Sequence, residues 1–164
     1  MNSIVCLLER TAARLPAHIA LEDSDGAMTY AALRTAARVA ATALLGHGVR
    51  KGGPVAVYLP KSCASVVSFY AALYCGAPYA PLDYTAPANR TEKTLQNLRP
   101  SCIVTNEEGR GKLQSLDLPD SLLLDYDALT AGTEDADALF RTVDATVDTD
   151  PAYIMYTSGS TGTP

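Results

Sequence analysis

The sequence predicts an α/β fold, a mainly parallel sheet flanked by helices, and three observations carry the prediction. Short apolar strand candidates alternate with longer helical segments, the arrangement that βαβ crossovers require. The strand candidate at residues 54–59 is apolar on both faces, as expected where helices cover both sides of a sheet. Apolar side chains make up 48% of the 164 residues, enough for one unit with its own core.

The elements follow in order. Ile4, Leu7, Leu8, Ala12 and Leu15 recur at helical spacing, so a first helix is expected over 4–15, with Ser3 as N-cap and Pro16 as its stop. Residues 19–22 and 27–29 read as two strands around the turn cluster Asp23-Ser24-Asp25-Gly26, hence a hairpin. Thr29 is placed to cap a long helix over 30–45, with Leu33, Ala37, Ala40, Ala41 and Leu44 on one face and Gly46 and Gly48 ending it. After the strand at 54–59, Ser62 or Cys63 opens an apolar helix to about Tyr74, terminated by Gly76. A short extended segment is expected at 79–82, then a helix over 90–98 capped by Asn89, then a strand at 102–105 after Pro100. Further on come a strand at 122–125, an acidic, Ala-rich stretch at 127–148 read as surface helix or loop, and a last strand at 152–156. No repeat, low-complexity tract or linker marks a second domain.

Charge and composition exclude several classes. A net charge of -5 and a pI near 4.9, with 13 scattered basic residues, argue against nucleic-acid binding, which needs clustered Lys and Arg to displace phosphate counterions. The longest apolar runs, 55–59 and 66–73, are too short to span a bilayer, so no membrane segment is expected. Met1 to Arg10 lacks a basic n-region and an extended apolar h-region, which makes a cytoplasmic location the expectation. Cys6, Cys63, Cys75 and Cys102 form no C-x-x-C pair and lie near neither His18 nor His47 in sequence. No metal site is expected from them, and buried free thiols are expected for most. His47, between Gly46 and Gly48, reads as a capping or solvent-facing residue.

The chemistry concentrates at the end of the sequence, where Tyr153-Ile154-Met155-Tyr156 runs into Thr157-Ser158-Gly159-Ser160-Thr161-Gly162-Thr163-Pro164. Glycine lets a backbone approach a ligand closely, and successive N–H groups with Ser and Thr hydroxyls can surround phosphate oxygens. A loop at the carboxyl end of a parallel strand is also where open α/β sheets hold ligands. Neither a Walker A spacing nor a dinucleotide fingerprint is present, because only Ser160 and Thr161 separate Gly159 from Gly162. On composition alone, a solvated Ser/Thr/Gly turn or a flexible tail is the favoured alternative.

The segment Tyr156-Thr157-Ser158-Gly159-Ser160-Thr161-Gly162-Thr163-Pro164 closely resembles the signature loop of the adenylate-forming superfamily, in particular the amino-acid adenylation domains of nonribosomal peptide synthetases. Met28-Thr29-Tyr30-Ala31-Ala32-Leu33 resembles that family's first core motif. Leu73-Tyr74-Cys75-Gly76-Ala77-Pro78-Tyr79-Ala80-Pro81-Leu82-Asp83 resembles its second, so three matches stand in the family's order. Pro87 and Arg90 after the second motif, with Pro81-Leu82-Asp83, resemble the amino-acid-activating branch more than the fatty-acyl and aryl CoA ligases. Tyr74, Cys75, Pro78 and Tyr84 depart from the usual pattern. Tyr30, Leu33, Tyr79 and Leu82 read as packing residues, and Asp83 with Arg90 as a local ion pair or helix-cap contact.

The resemblance implies a ligase in which a carboxylic or amino acid attacks the α-phosphorus of ATP with Mg2+, giving an acyl-adenylate and pyrophosphate. A carrier protein's phosphopantetheine thiol then takes the acyl group. It implies that Thr157, Ser158, Gly159, Ser160, Thr161 and Gly162 bind the ATP phosphates, and that residues 1–164 carry no catalytic residue, being the N-terminal portion of an adenylation domain truncated within this loop. The remaining part of that domain is expected as a partner, with a companion chain as one possibility. Two other functions stay open: an acyl-CoA ligase of the same superfamily, and a non-catalytic interaction module.

Overall fold

The computed structural model describes residues 3–116, 118–119 and 122–156. Helix α1 (Val5–Arg14) starts on Ile4, and Ser3 takes part through its carbonyl, which accepts the Cys6 amide at 3.0 Å, rather than through its hydroxyl. Strands β1 (Ile19–Asp23) and β2 (Gly26–Thr29) form the expected antiparallel hairpin. The Asp23 carboxylate tightens its turn by accepting the amides of Asp25 and Gly26 at 2.9 and 3.2 Å. Thr29 accepts the Ala32 amide and so caps α2 (Tyr30–Gly46), which buries Leu33, Ala37, Ala40, Ala41 and Leu44. His47 is the C-cap of α2, and Gly48, at φ +91°, turns the chain away.

Three strand–helix–strand crossovers follow: β3 (Val55–Tyr58), α3 (Cys63–Tyr74), β4 (Tyr79–Pro81), α4 (Ala88–Leu98), β5 (Cys102–Thr105), α5 (Glu107–Leu113) and β6 (Leu123–Asp125). The four strands lie parallel in the order β4-β3-β5-β6. Helix α4 begins at Ala88, with Pro87 rather than Asn89 at its N-cap. Proline's fixed φ, here -56°, pre-sets that turn, and its carbonyl accepts the Arg90 and Thr91 amides. The acidic stretch resolves into α6 (Tyr126–Thr130) and α7 (Ala136–Asp144), capped by Asp125 and Asp135 through the Ala128 and Ala138 amides. Residues 152–156, expected as a strand, make a single parallel bridge, Tyr153 to Tyr79 of β4.

Alternation along the strands explains why they are apolar throughout. Val55 and Val57, Cys102 and Val104, and Leu124 face one core, shared with Val5, Leu33, Ala37, Leu44, Val67 and Leu139 from α1, α2, α3 and α7. Ala56 and Tyr58, Ile103, and Leu123 face a second, with Leu95 and Leu98 of α4 and Leu113 of α5. The sheet is therefore covered on both sides, and burial of a residue such as Ile103 contributes about 1.5–3 kcal/mol. The four packing residues read from the sequence behave as such. Leu33 and Leu82 are buried, Tyr30 lines the first core, and the Tyr79 ring stacks on Phe69 at 4.4 Å.

Candidate functional site

Strand order makes the carboxyl edge of the sheet a place for ligands. From β3 the chain crosses over one face through α3 to β4, and from β5 it crosses over the other face through α5 to β6. Adjacent strands thus send their loops in opposite directions, the condition that opens a crevice in such sheets. A cleft of about 500 Å3 lies there, lined by Asp23 and Asp25 of the hairpin turn, Lys61 and Ser62 after β3, Asn106 after β5, and Tyr126 after β6.

The polar groups of this cleft are engaged in holding helix ends. Ser62 and Ser65 form a capping box at α3, and the Asp23 carboxylate accepts the Cys63 amide at 2.7 Å. That amide bond, ahead of those from Asp25 and Gly26, holds the Asp23 carboxyl below the usual carboxylate range. Asn106 accepts the Gly109 amide at 2.8 Å and caps α5. The amide-rich starts of α3, α5 and α6, which elsewhere attract anions, are here occupied by the chain's own side chains.

A second group stands on the opposite face. Tyr58 and Tyr84 lie 4.9 Å apart, the Tyr84 hydroxyl donates to Asn106 at 3.1 Å, and Lys112 sits 3.7 Å from the centre of the Tyr84 ring while paired with Glu108 at 2.9 Å. They border a cavity of about 310 Å3 with Thr85 and Thr91. Asp83 accepts both the amide and the hydroxyl of Thr85, at 3.0 and 2.7 Å. The Thr85 hydroxyl, then its amide, lower the Asp83 carboxyl, with a smaller contribution from the charge of Arg90. Asp83 therefore closes its own turn, and among the described residues it makes neither an ion pair with Arg90 nor a cap bond to α4, contrary to both readings of that pair.

Segment 152–156 docks outside β4. Tyr79 donates its amide to Ala152 at 3.2 Å and accepts the Ile154 amide at 2.9 Å. Ile154 and Tyr156 turn to the second core, and the Tyr156 hydroxyl donates to Asn97 at 2.7 Å. Tyr153 and Met155 point the other way and are exposed. Because the segment runs parallel to β4, it heads to the carboxyl edge as it reaches Tyr156. The expected phosphate-binding residues Thr157, Ser158, Gly159, Ser160, Thr161 and Gly162 lie outside the described residues.

His18 and His47 are exposed and the four cysteines are free thiols, Cys75 and Cys102 buried and the other two half-buried. Among the described residues no three His, Cys, Asp or Glu converge as metal ligands, and no helix is long and apolar enough to cross a membrane. Asn106 and Lys112 are the site-edge residues that the sequence reading did not single out. Their signal was a helical charge pattern, Glu107 and Glu108 early with Arg110 and Lys112 late.

The model of the family described as AMP-binding enzyme matches residues 8–164. A dimodular nonribosomal peptide synthase of Bacillus subtilis is 37% identical over 99% of the chain, and vanchrobactin synthetase VabF of Vibrio anguillarum is 35% identical over 92%. The chain spans 7% and 5% of their lengths. The structure of VinN in complex with 3-methylaspartate superposes with a TM-score of 0.78 at 26% identity, covering 99% of this chain and 46% of VinN.

Proposed function

Since the chain belongs to the AMP-binding enzyme family and its relatives include nonribosomal peptide synthetases, we propose that it is the N-terminal portion of an adenylation domain that activates an amino acid. The acid's carboxylate attacks the α-phosphorus of ATP, the bond to the β-phosphate oxygen breaks, and pyrophosphate leaves. The product, an aminoacyl-adenylate, then passes its acyl group to the phosphopantetheine thiol of a carrier protein. The observation that carries this reading is the docking of segment 152–156 on β4, which sends the chain into Thr157 from the carboxyl edge of a parallel sheet.

In this assignment Thr157, Ser158, Ser160 and Thr161 donate hydroxyls to the β- and γ-phosphates, while Gly159 and Gly162 bring the backbone close. Positioning and charge stabilisation are most of what a protein contributes to such a transfer. Mg2+ enters with the nucleotide as its counter-ion, and no described residue is assigned to it. The acid's pocket and the groups that meet the α-phosphate belong to the remaining part of the domain, in the same chain or a companion. Exposed Tyr153 and Met155 beside the outer edge of segment 152–156 offer that part a surface to cover.

An amino acid is preferred to a fatty acid because of the synthetase relatives and because VinN was solved with 3-methylaspartate. The test is ATP–pyrophosphate exchange by the full-length protein against a panel of amino, aryl and fatty acids. Exchange with one or a few amino acids supports the reading. Exchange only with fatty or aryl acids, with product release by coenzyme A, favours the acyl-CoA ligase, and no exchange with any acid favours an interaction module.

A further inference from the structure

The amino edge of the sheet contains an arrangement that the phosphate-binding assignment does not use. Three loops meet there: 50–54 before β3, 75–78 before β4, and 145–151 before the docked segment. The Gly52 amide donates to the Gly76 carbonyl at 2.9 Å, which joins the first two. Lys51 reaches the third: its Nζ lies 2.7 Å from the Asp150 carboxylate and donates to the Ala145 carbonyl at 2.7 Å. The same Asp150 oxygen, Oδ2, accepts the Val147 amide at 2.8 Å, and the Val147 carbonyl accepts the Asp150 amide at 3.1 Å. Thr146 packs against Gly76, where an added Cβ would stand 3.1 Å from its hydroxyl.

Asp150 is followed by Pro151 and then Ala152, whose carbonyl accepts the Tyr79 amide. Only Pro151 therefore separates the ion pair from the first bond of the docked segment to β4. The segment's backbone is held by two bonds to one residue, and at its far end its register is supported by the burial of Ile154 and Tyr156 and by the Tyr156–Asn97 bond, which leaves the ion pair as the side-chain anchor at its near end. A slip by one residue moves it about 3.3 Å and turns every side chain to the other face, taking Ile154 and Tyr156 out of the second core.

We propose that Lys51 and Asp150 are positioning residues for ATP: their ion pair fixes the register of segment 152–156 on β4 and, through it, the placement of the hydroxyl-rich loop. A partly exposed ion pair adds little to overall stability, so its removal should act mainly on this edge. The inference rests on the phosphate-binding reading of that loop.

The test uses the full-length protein with Lys51→Met, Asp150→Asn and the conservative Lys51→Arg. Because misplacement of about 1 Å costs up to about 100-fold in such transfers, the first two variants should raise the KM for ATP about tenfold and leave the KM for the acid within twofold. Lys51→Arg, which keeps the charge and a donor, should restore it. Hydrogen exchange gives a readout independent of activity: the Ile154 and Tyr79 amides should exchange about tenfold faster in Lys51→Met and Asp150→Asn, with Ile103 and Val104 amides unchanged as the control for global opening. Unchanged exchange at Ile154 and Tyr79 overturns the register role, and faster exchange with an unaltered KM for ATP overturns the positioning role. Failure of the wild type to exchange pyrophosphate with any acid refutes the phosphate-binding reading, while the amide rates still decide whether the ion pair sets the register.

Discussion

Replacing Gly76 by alanine tests how the turn that ends α3 is built. Gly76 sits at φ +65°, one residue past the C-cap of α3, where its amide donates to the Leu73 carbonyl and the Ala77 amide to the Ala72 carbonyl, both at 3.0 Å. This is the six-to-one, five-to-two pattern that closes helices on a left-handed residue. A side chain there costs roughly 1–2 kcal/mol from the backbone alone. The new Cβ would also stand 3.1 Å from the Thr146 hydroxyl and 3.3 Å from Lys51 Cγ. Thr146 is not free to yield, since its hydroxyl donates to the Thr142 carbonyl at 2.9 Å. A loss of about 2 kcal/mol lowers the melting temperature by about 4–8 °C in a domain of this size. Gly46→Ala is the control, because Gly46 lies at the end of α2 with nothing within 4 Å of a Cβ, and it should be neutral or stabilising by up to about 1 kcal/mol. Circular-dichroism melts of both variants beside the wild type decide the matter, and equal midpoints for Gly76→Ala and wild type would refute the reasoning.

Thr105→Val keeps the shape of a fully buried side chain and removes the hydroxyl that donates to the Tyr58 carbonyl at 2.9 Å, so urea unfolding should show a loss of about 1 kcal/mol. Asp23, Asp83 and Asp150 all have carboxyls held below the usual range by hydrogen bonds, chiefly from the Cys63 amide, the Thr85 hydroxyl and Lys51 respectively. Their contribution to stability is complete above the unfolded-state value of about 3.9 and is lost as pH falls through the lower folded-state values. The urea midpoint should therefore drop on acidification from pH 5 to pH 2, and Asp23→Asn should be less stable at pH 7 but lose less on acidification, whereas parallel curves would contradict this origin. Burial pushes the Cys102 thiol up to about 12 and raises Cys75 as well. Alkylation at pH 8 should spare both in the native protein and reach all four cysteines once it is unfolded, which mass spectrometry counts directly.

Strongly periodic segments were legible because burial in this fold follows them. Helices α2 and α3, the hairpin and strands β3 and β5 stand where the apolar spacing and the Thr29 and Ser62 caps put them. Helix α5 was not legible: two of its seven residues are glycine, and Gly109 is there because a Cβ would overlap the Thr105 hydroxyl. That is a tertiary reason, invisible to helix propensity. The start of α4 was misread for a similar cause, with Asn89 looking like a cap while Pro87 supplied the turn. Of the candidate site, the residue types and their place after a strand came from the sequence. The cleft at the β3–β5 divergence did not, because Asp23 meets Cys63 and Tyr84 meets Asn106 only through the tertiary fold. Nor did the Lys51–Asp150 contact, between residues 99 positions apart.

The central claim, that this chain supplies the phosphate-binding loop of an amino-acid-activating enzyme, meets its most direct test in the detection of the aminoacyl-adenylate itself. Full-length wild-type protein and Gly162→Val would be incubated with ATP, Mg2+ and amino acids, and the products separated and weighed by mass spectrometry. The wild type should form an adenylate with at least one amino acid and the variant none, because valine's side chain denies the phosphates close approach of the backbone. Equal adenylate yields from the two proteins would contradict the assignment of the loop, and no adenylate from either, with any amino acid, would contradict the function.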